Sequence, residues 1–511
     1  MYRILTASKD NYITNKIVNN SFRATDANVG QAATLDIFKL YGESTSGSEL
    51  SPIELSRALV KFNLNPLRRL TGSTLDLNHS SFNCTLKLFD VYGGQTTPSN
   101  FNIIIFPLSK SFDEGIGRDI VSFNDIDSSN YITASMSGDS VVEWSATGAS
   151  SKGILASENI DIISRGDLDD GNGLVNIFKS QTFARGDEDL SVDITSIISG
   201  TLAGLIPDCG FRISFSGSEE TDSKSRFVKR FASTQHSDYT KRPQIVIKYN
   251  DSIQDHHRSF YFNLSGSLFL NNFHRGTPAN ILSGSSASSV SGSNSIILTL
   301  RSGTVARSTF FEKIITASQH SIGQNFITGV YSASFSIAEY ATASLFSEMK
   351  NAGSATLTEI WGSLDGRVGY LTSSLIVNKV DRSSFNNQTK RLIVFVTNMQ
   401  DEYSKDSKAR FRVFVEDVDR VIIFKKIPQE TLSQIFTSMY FRIRDDESGD
   451  IIIPFDQSSN GTLCSTDSEG MYFDLYMDSL PNNRIFTIDF LINDRGINQV
   501  FTDVAAKFRV V

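Results

Sequence analysis

The stretch KRPQIVIKYND, residues 241–251, lies almost halfway along the chain and reads as a β-strand. Ile245, Ile247 and Tyr249 fall on one face, and Gln244, Val246 and Lys248 on the other. Pro243 stands at its entrance, where a residue that cannot donate to a sheet ladder is tolerated. A polar stretch, DSIQDHHRS, follows, with more than half of the chain still to come. The strand therefore reads as the closing strand of a domain, and the polar stretch as a linker to the next.

The same alternation recurs along the chain. SRALVKFNL sets Ala58, Val60, Phe62 and Leu64 against Arg57, Lys61 and Asn63. FRISFSGS sets Phe211, Ile213 and Phe215 against Arg212, Ser214 and Ser216. RIFTIDFLIND alternates Phe486, Ile488, Phe490 and Ile492 with Thr487 and Asp489, and the final AAKFRVV sets Phe508 and Val510 against Lys507 and Arg509. A period of two predicts antiparallel sheets with one face buried. Gly/Ser/Asn/Asp clusters such as YGESTSGSEL, VYGGQTTPSN and DDESGD punctuate them as turns. Helical patterns are short: 193–205 and 428–439 are expected as connectors, while 335–351 fits either a strand or a helix. The fold class expected is all-β. It comprises an N-terminal jelly-roll-like β-sandwich over 1–251, a smaller immunoglobulin-like sandwich over 252–385 and another over 386–511. A Ser/Gly-rich loop, SGSSASSVSGSNS (283–295), reads as mobile.

Bulk properties narrow the function. The 511 residues are 40% hydrophobic and 20% charged, enough apolar material for several cores. A net charge of -8 offers no support for binding nucleic acid or an anionic membrane. The three cysteines, Cys84, Cys209 and Cys464, are too sparse for a disulfide framework; each reads as a small buried side chain in a protein folded under reducing conditions. The N-terminal MYRILTASKDNYIT lacks the apolar core of a signal peptide, and folding in a cytoplasm is the expectation.

A search for chemistry yields little. DLDDGNG (167–173) groups Asp167, Asp169, Asp170 and Asn172 beside glycines, but its spacing departs from an EF-hand and it reads as a solvated acidic loop. His256 and His257 are adjacent, point to opposite faces of an extended chain and read as solvated linker residues. Trp144 and Trp361 read as core residues, with sugar-stacking platforms as the alternative. No nucleophile, base, metal or cofactor set assembles from sequence, so no catalytic, cofactor-binding or metal residue is assigned, and no enzyme is expected.

Residues 1–250 resemble the DNRLRE family of jelly-roll-like domains. The resemblance rests on an ordered series of segments. The early DNYITNKIVNNSFRATDANVGQAATLDIFKL carries Asn28 and Gly30, and SRALVKFNLNPL and CTLKLFDVY follow it. DLSVDITSIIS carries the Val192, Asp193 and Thr195 step into a short helix. GFRISFSGS comes next, and the closing RFASTQHSDYTKRPQIVIKY ends the series. The chain departs from the family in its longer middle, SENIDIISRGDLDDGNG. It also has Gln235 and His236 where the family carries an acidic residue, which puts a metal or ligand role at that edge in doubt. YFRIRDDESGDIIIPFD and GMYFDLYMDSLPNNRIFTIDFLI resemble an accessory domain of tailed-phage structural proteins. The resemblances imply a non-enzymatic component of a phage particle (tail, baseplate, neck or capsid surface), assembled in the host cytoplasm. Its expected partners are other virion proteins in a symmetric multimer, without nucleic acid or membrane. The alternative is an adhesin module binding a host-surface glycan.

Overall fold

In the computed structural model, Gln244–Lys248 form the expected strand. The structure describes all residues except 44–52, 93–97, 169–172, 285–286, 303–310, 381–389, 420–430 and 505–506. The architecture is all-β, with 48% strand and 7% helix. The chain divides into two compact units. One comprises Arg3–Arg69 and Phe82–Lys248; the other comprises Met1–Tyr2, Leu70–Ser81 and Tyr249–Val511.

The first unit is built on a ten-stranded sheet. Its main path runs 179–183, 101–107, 211–215, 53–62, 2–14, 244–248, 83–88, 190–193, with 34–41 and 226–232 branching from 53–62. The 244–248 strand thus lies inside the sheet. It pairs with 83–88 in the register Ile245↔Leu86 and Ile247↔Cys84. Pro243 sits just before its first ladder position, and its carbonyl accepts from Ala7 N at 2.9 Å. The end strands approach each other: the Gln181 side chain donates to Asp189 O and accepts from Ser191 N. The sheet therefore folds over on itself as a sandwich.

One expectation fails here. The polar faces of 53–62 and 211–215 are not solvated, because Arg57, Arg212 and Ser214 are buried beside Leu59. Residues from the long middle cover that face, so Phe112, Ala134, Trp144, Ala149 and Ile162 form a second core with Ile13, Leu59, Phe106 and Leu108. Charge on this covered face is neutralised internally. Arg57 makes a bidentate pair with Glu220, both contacts at 2.9 Å, and also donates to Gly148 O. Arg212 donates to Ala149 O and Ser214 Oγ. Burial and the neighbouring Arg57 pull its guanidinium down to about 9.

In the second unit, seven described strands between Phe260 and Asn378 form one sheet around a core that includes Leu298, Tyr331, Leu357 and Trp361. Its end strands, Phe260–Tyr261 and Ser265–Asn271, are joined by three residues, so the sheet must curl. The long hairpin of Phe311–Ile322 and Asn325–Ser336 is held near its tip, where Asn325 Nδ2 donates to Thr71 O and Leu75 O. The described strands between Leu392 and Val510 form a sandwich of four- and six-stranded sheets. Phe473 of one stacks on Phe441 of the other at 4.2 Å, and Phe411 lies 5.6 Å from Phe508.

The helical expectations divide. Thr195–Leu202 is helical. Asn325–Ser336 is a strand and Ala343–Ala352 a helix, the latter capped by Thr342 Oγ1 and stopped by Gly353 at φ 75°. Residues 431–438 are not helical, and 428–430 lie outside the described residues. There the backbone bonds laterally, with Gln434 N donating to Val415 O. The described part of the 283–295 loop is pinned: Gly292 N donates to Gln319 Oε1, and Tyr331 Oη donates to Val290 O.

Candidate functional site

The side chains singled out in sequence are mostly structural. Trp144 is buried, with its Nε1 donating to Asn130 O at 3.0 Å, and Trp361 is fully buried. Neither offers a face for a sugar. Most of DLDDGNG lies outside the described residues. Cys84 and Cys464 are buried and Cys209 half-buried, all as free thiols. Among the described residues, no group of three or more His, Cys, Asp or Glu is arranged to hold a metal, and no helix is long and apolar enough to cross a membrane.

The segments that carry the family resemblance meet at polar junctions in the first unit. Asp193 Oδ1 accepts from Thr195 N, and Thr195 Oγ1 accepts from Cys84 N, which ties the helix start to the neighbouring strand. Asn28 Oδ1 accepts from Gly30 N and Gly117 N, while its Nδ2 donates to Glu114 O and Ser129 O. Gly30 is required by close approach: a Cβ there would lie 1.9 Å from Glu114 O. Thr234, at the start of the closing edge, donates through N and Oγ1 to the buried Asp10. Burial, helped by nearby Glu114, pushes the Asp10 carboxyl up to about 7 against these bonds. Gln235 is exposed, and His236 Nδ1 accepts from Asp238 N.

Of the adjacent histidines, His257 is not a solvated linker residue. In the second unit, His257 Nδ1 lies 2.6 Å from Asp255 Oδ1 and its Nε2 lies 2.9 Å from Glu359 Oε1. Both carboxylates are buried, and Trp361 Nε1 also donates to Glu359. Burial pulls the imidazole down, but the two carboxylates outweigh it and raise it to about 10. The ring is therefore an imidazolium with both nitrogens engaged, which leaves it no lone pair for general-base chemistry. The rest of the linker is laced to the C-terminal sandwich. Ile253 N donates to Ser465 Oγ, and Thr466 N donates to Ile253 O. Gln254 Nε2 donates to Cys464 O, Thr466 Oγ1 to Asp255 O and Arg258 Nε to Ser468 O.

The second unit also contains a cleft of about 500 Å³, a feature missed in the sequence. One wall is the strand pair Lys408–Asp417 and Gly470–Tyr476; the other carries Asn271, Phe273, Pro278 and Thr328. Alternation puts Lys408, Arg410 and Arg412 in one row. Arg410 makes a bidentate pair with Asp474 at 2.8 and 3.1 Å, and its guanidinium lies 4.0 Å from the Tyr472 ring centre. Lys408 lies 3.0 Å from Asp474, and Arg412 pairs with Asp467 and Glu469. Burial raises the Asp474 carboxyl, but Arg410 and Lys408 more than reverse this and hold it below the usual range. The signal was present in sequence as K-x-R-x-R over 408–412, facing Tyr472, Asp474 and Tyr476 at the same period. It matches no catalytic motif.

No family model matches the chain, and no curated protein matches it. Among solved structures, a titin structure is similar over 49% of this chain and 93% of its own, at 7% identity and a TM-score of 0.14. The native conformation of alpha-2-macroglobulin from E. coli is similar over 99% of this chain and 30% of its own, at 9% identity and a TM-score of 0.11. Superposition this poor carries no argument about fold or function.

Proposed function

We propose that this chain is a non-enzymatic structural component of a tailed-phage particle, acting through subunit–subunit surfaces. The observation that carries the reading is the fixed linker of residues 253–258. Connections between domains ordinarily leave relative motion as the default. Within the second unit, a buried Asp255–His257–Glu359 triad and five hydrogen bonds to residues 464–468 tie the 260–378 module to the 392–510 sandwich. Fixed geometry between these two β-modules of the second unit suits a part that holds neighbouring subunits at set spacing.

The particle itself comes from the sequence resemblances over 1–250 and 440–492. Three free thiols suit folding in a reducing host cytoplasm. Symmetric copies then meet through interfaces of about 1,200 Å² or more. Peptide mass spectrometry of purified particles, with copy number, tests the reading. Stoichiometric presence at a multiple of the particle symmetry supports it, and absence from particles refutes it. The glycan-binding alternative no longer has Trp144 or Trp361 to rest on; what favours it is the cleft.

A further inference from the structure

We propose that the cleft flanked by Lys408–Asp417 and Phe273 is a binding site for a neutral, polyhydroxylated ligand, namely a short oligosaccharide. Its volume of about 500 Å³ is that of a small-molecule site, which typically spans roughly 300–1,000 Å³. Its charges are matched internally: Lys408, Arg410 and Arg412 face Asp467, Glu469 and Asp474. Each cation is already held by a carboxylate, so the wall exerts little net pull on an anion or a cation. What it offers is a dense, fixed array of donors and acceptors.

The array is rigid for a physical reason. The Arg410 guanidinium is held in plane by two bonds to Asp474 and lies against Tyr472, which is itself 6% exposed. A guanidinium has five N–H donors and Asp474 takes only two, so donors remain for hydroxyl oxygens. Carboxylate lone pairs likewise remain for hydroxyl protons. Hydroxyl groups, which both donate and accept, match such a mixed surface; phosphate, which only accepts, does not.

The opposite wall supplies an apolar contact. Phe273 is 59% exposed, on a two-stranded ribbon that pairs it with Pro278. Both line the cleft. An exposed aromatic face opposite a polar array suits a pyranose, whose ring presents C–H groups on its faces and hydroxyls at its rim.

The inference goes beyond the particle reading and is measured on the isolated full-length chain, so either fails without the other. A glycan array spanning neutral, sialylated and sulfated oligosaccharides selects the probe, and titration calorimetry gives its Kd. The expected result is saturable binding to neutral members. Phe273→Ala and Arg410→Gln should each weaken it about tenfold or more, equivalent to ~1.4 kcal/mol. Ser468→Trp, an exposed position on the rim, should block it while the melting temperature is unchanged. Retention of no glycan, retention of anionic glycans alone, or affinity unchanged in all three variants overturns the proposal.

Discussion

His257 Nε2 lies 2.9 Å from Glu359 Oε1, joining a residue of the linker to the middle of a strand 102 positions later in the chain. With Asp255 on the other ring nitrogen, this contact converts a polar linker into a fixed element. His257→Gln leaves two buried carboxylates without their cation. The expected cost is about 3–5 kcal/mol, as for other broken buried pairs. Chemical denaturation measures it, and hydrogen exchange should show faster exchange at residues 253–258.

The same contact fixes a pH dependence. The folded imidazole titrates near 10, above its unfolded value of about 6.5. Its stabilisation is therefore fully present below about pH 6.5 and is lost as pH rises through 10. Wild type should lose stability over that range, and His257→Gln should lose less. Melting temperatures of both proteins from pH 6 to 10 check this.

Asp10 loses stability in the same direction, over a lower pH range. Its folded carboxyl titrates near 7, above the unfolded value of about 3.9. Ionisation thus destabilises the first unit as pH rises from about 4 to 7, by an amount on the order of 4 kcal/mol. Asp10→Asn should remove this dependence and be more stable than wild type at pH 8. Urea denaturation at pH 5 and pH 8 tests it.

Arg57 and Glu220 should be energetically coupled. Arg57→Met leaves Glu220 buried and unpaired, and Glu220→Leu does the reverse; each should cost about 3–5 kcal/mol. The double variant should cost clearly less than their sum, which a double-mutant cycle reads directly.

Gly30→Ala should destabilise the first unit by about 1–3 kcal/mol or more. Its Cβ would meet the Glu114 carbonyl at 1.9 Å, so backbone must move. Thermal unfolding of the variant measures the loss.

Much of this fold is legible in sequence because strand periodicity is local. Ile245 and Ile247, Phe211 to Phe215, and Phe486 to Ile492 fall in strands where alternation puts them. The burial of Arg57 and Arg212 was not legible, since it depends on residues 108–166 folding back over their face. Residues 431–438 mislead because an apolar spacing suited to a helix also suits an extended segment whose Gln434 N donates to Val415 O and whose Ser433 Oγ accepts from Val415 N. The roles of His257 and Trp361 depend on Glu359, and no local pattern pairs a linker histidine with a strand glutamate. The cleft was legible only as a row of basic residues; its opposite wall comes from elsewhere in the chain.

The most direct test of the structural role is a reconstruction of purified particles at a resolution that separates strands. The account predicts density for the ten-stranded sheet and the 392–510 sandwich at symmetry-related positions, each copy touching neighbouring subunits. Particles that are complete and infectious without any such density would contradict it.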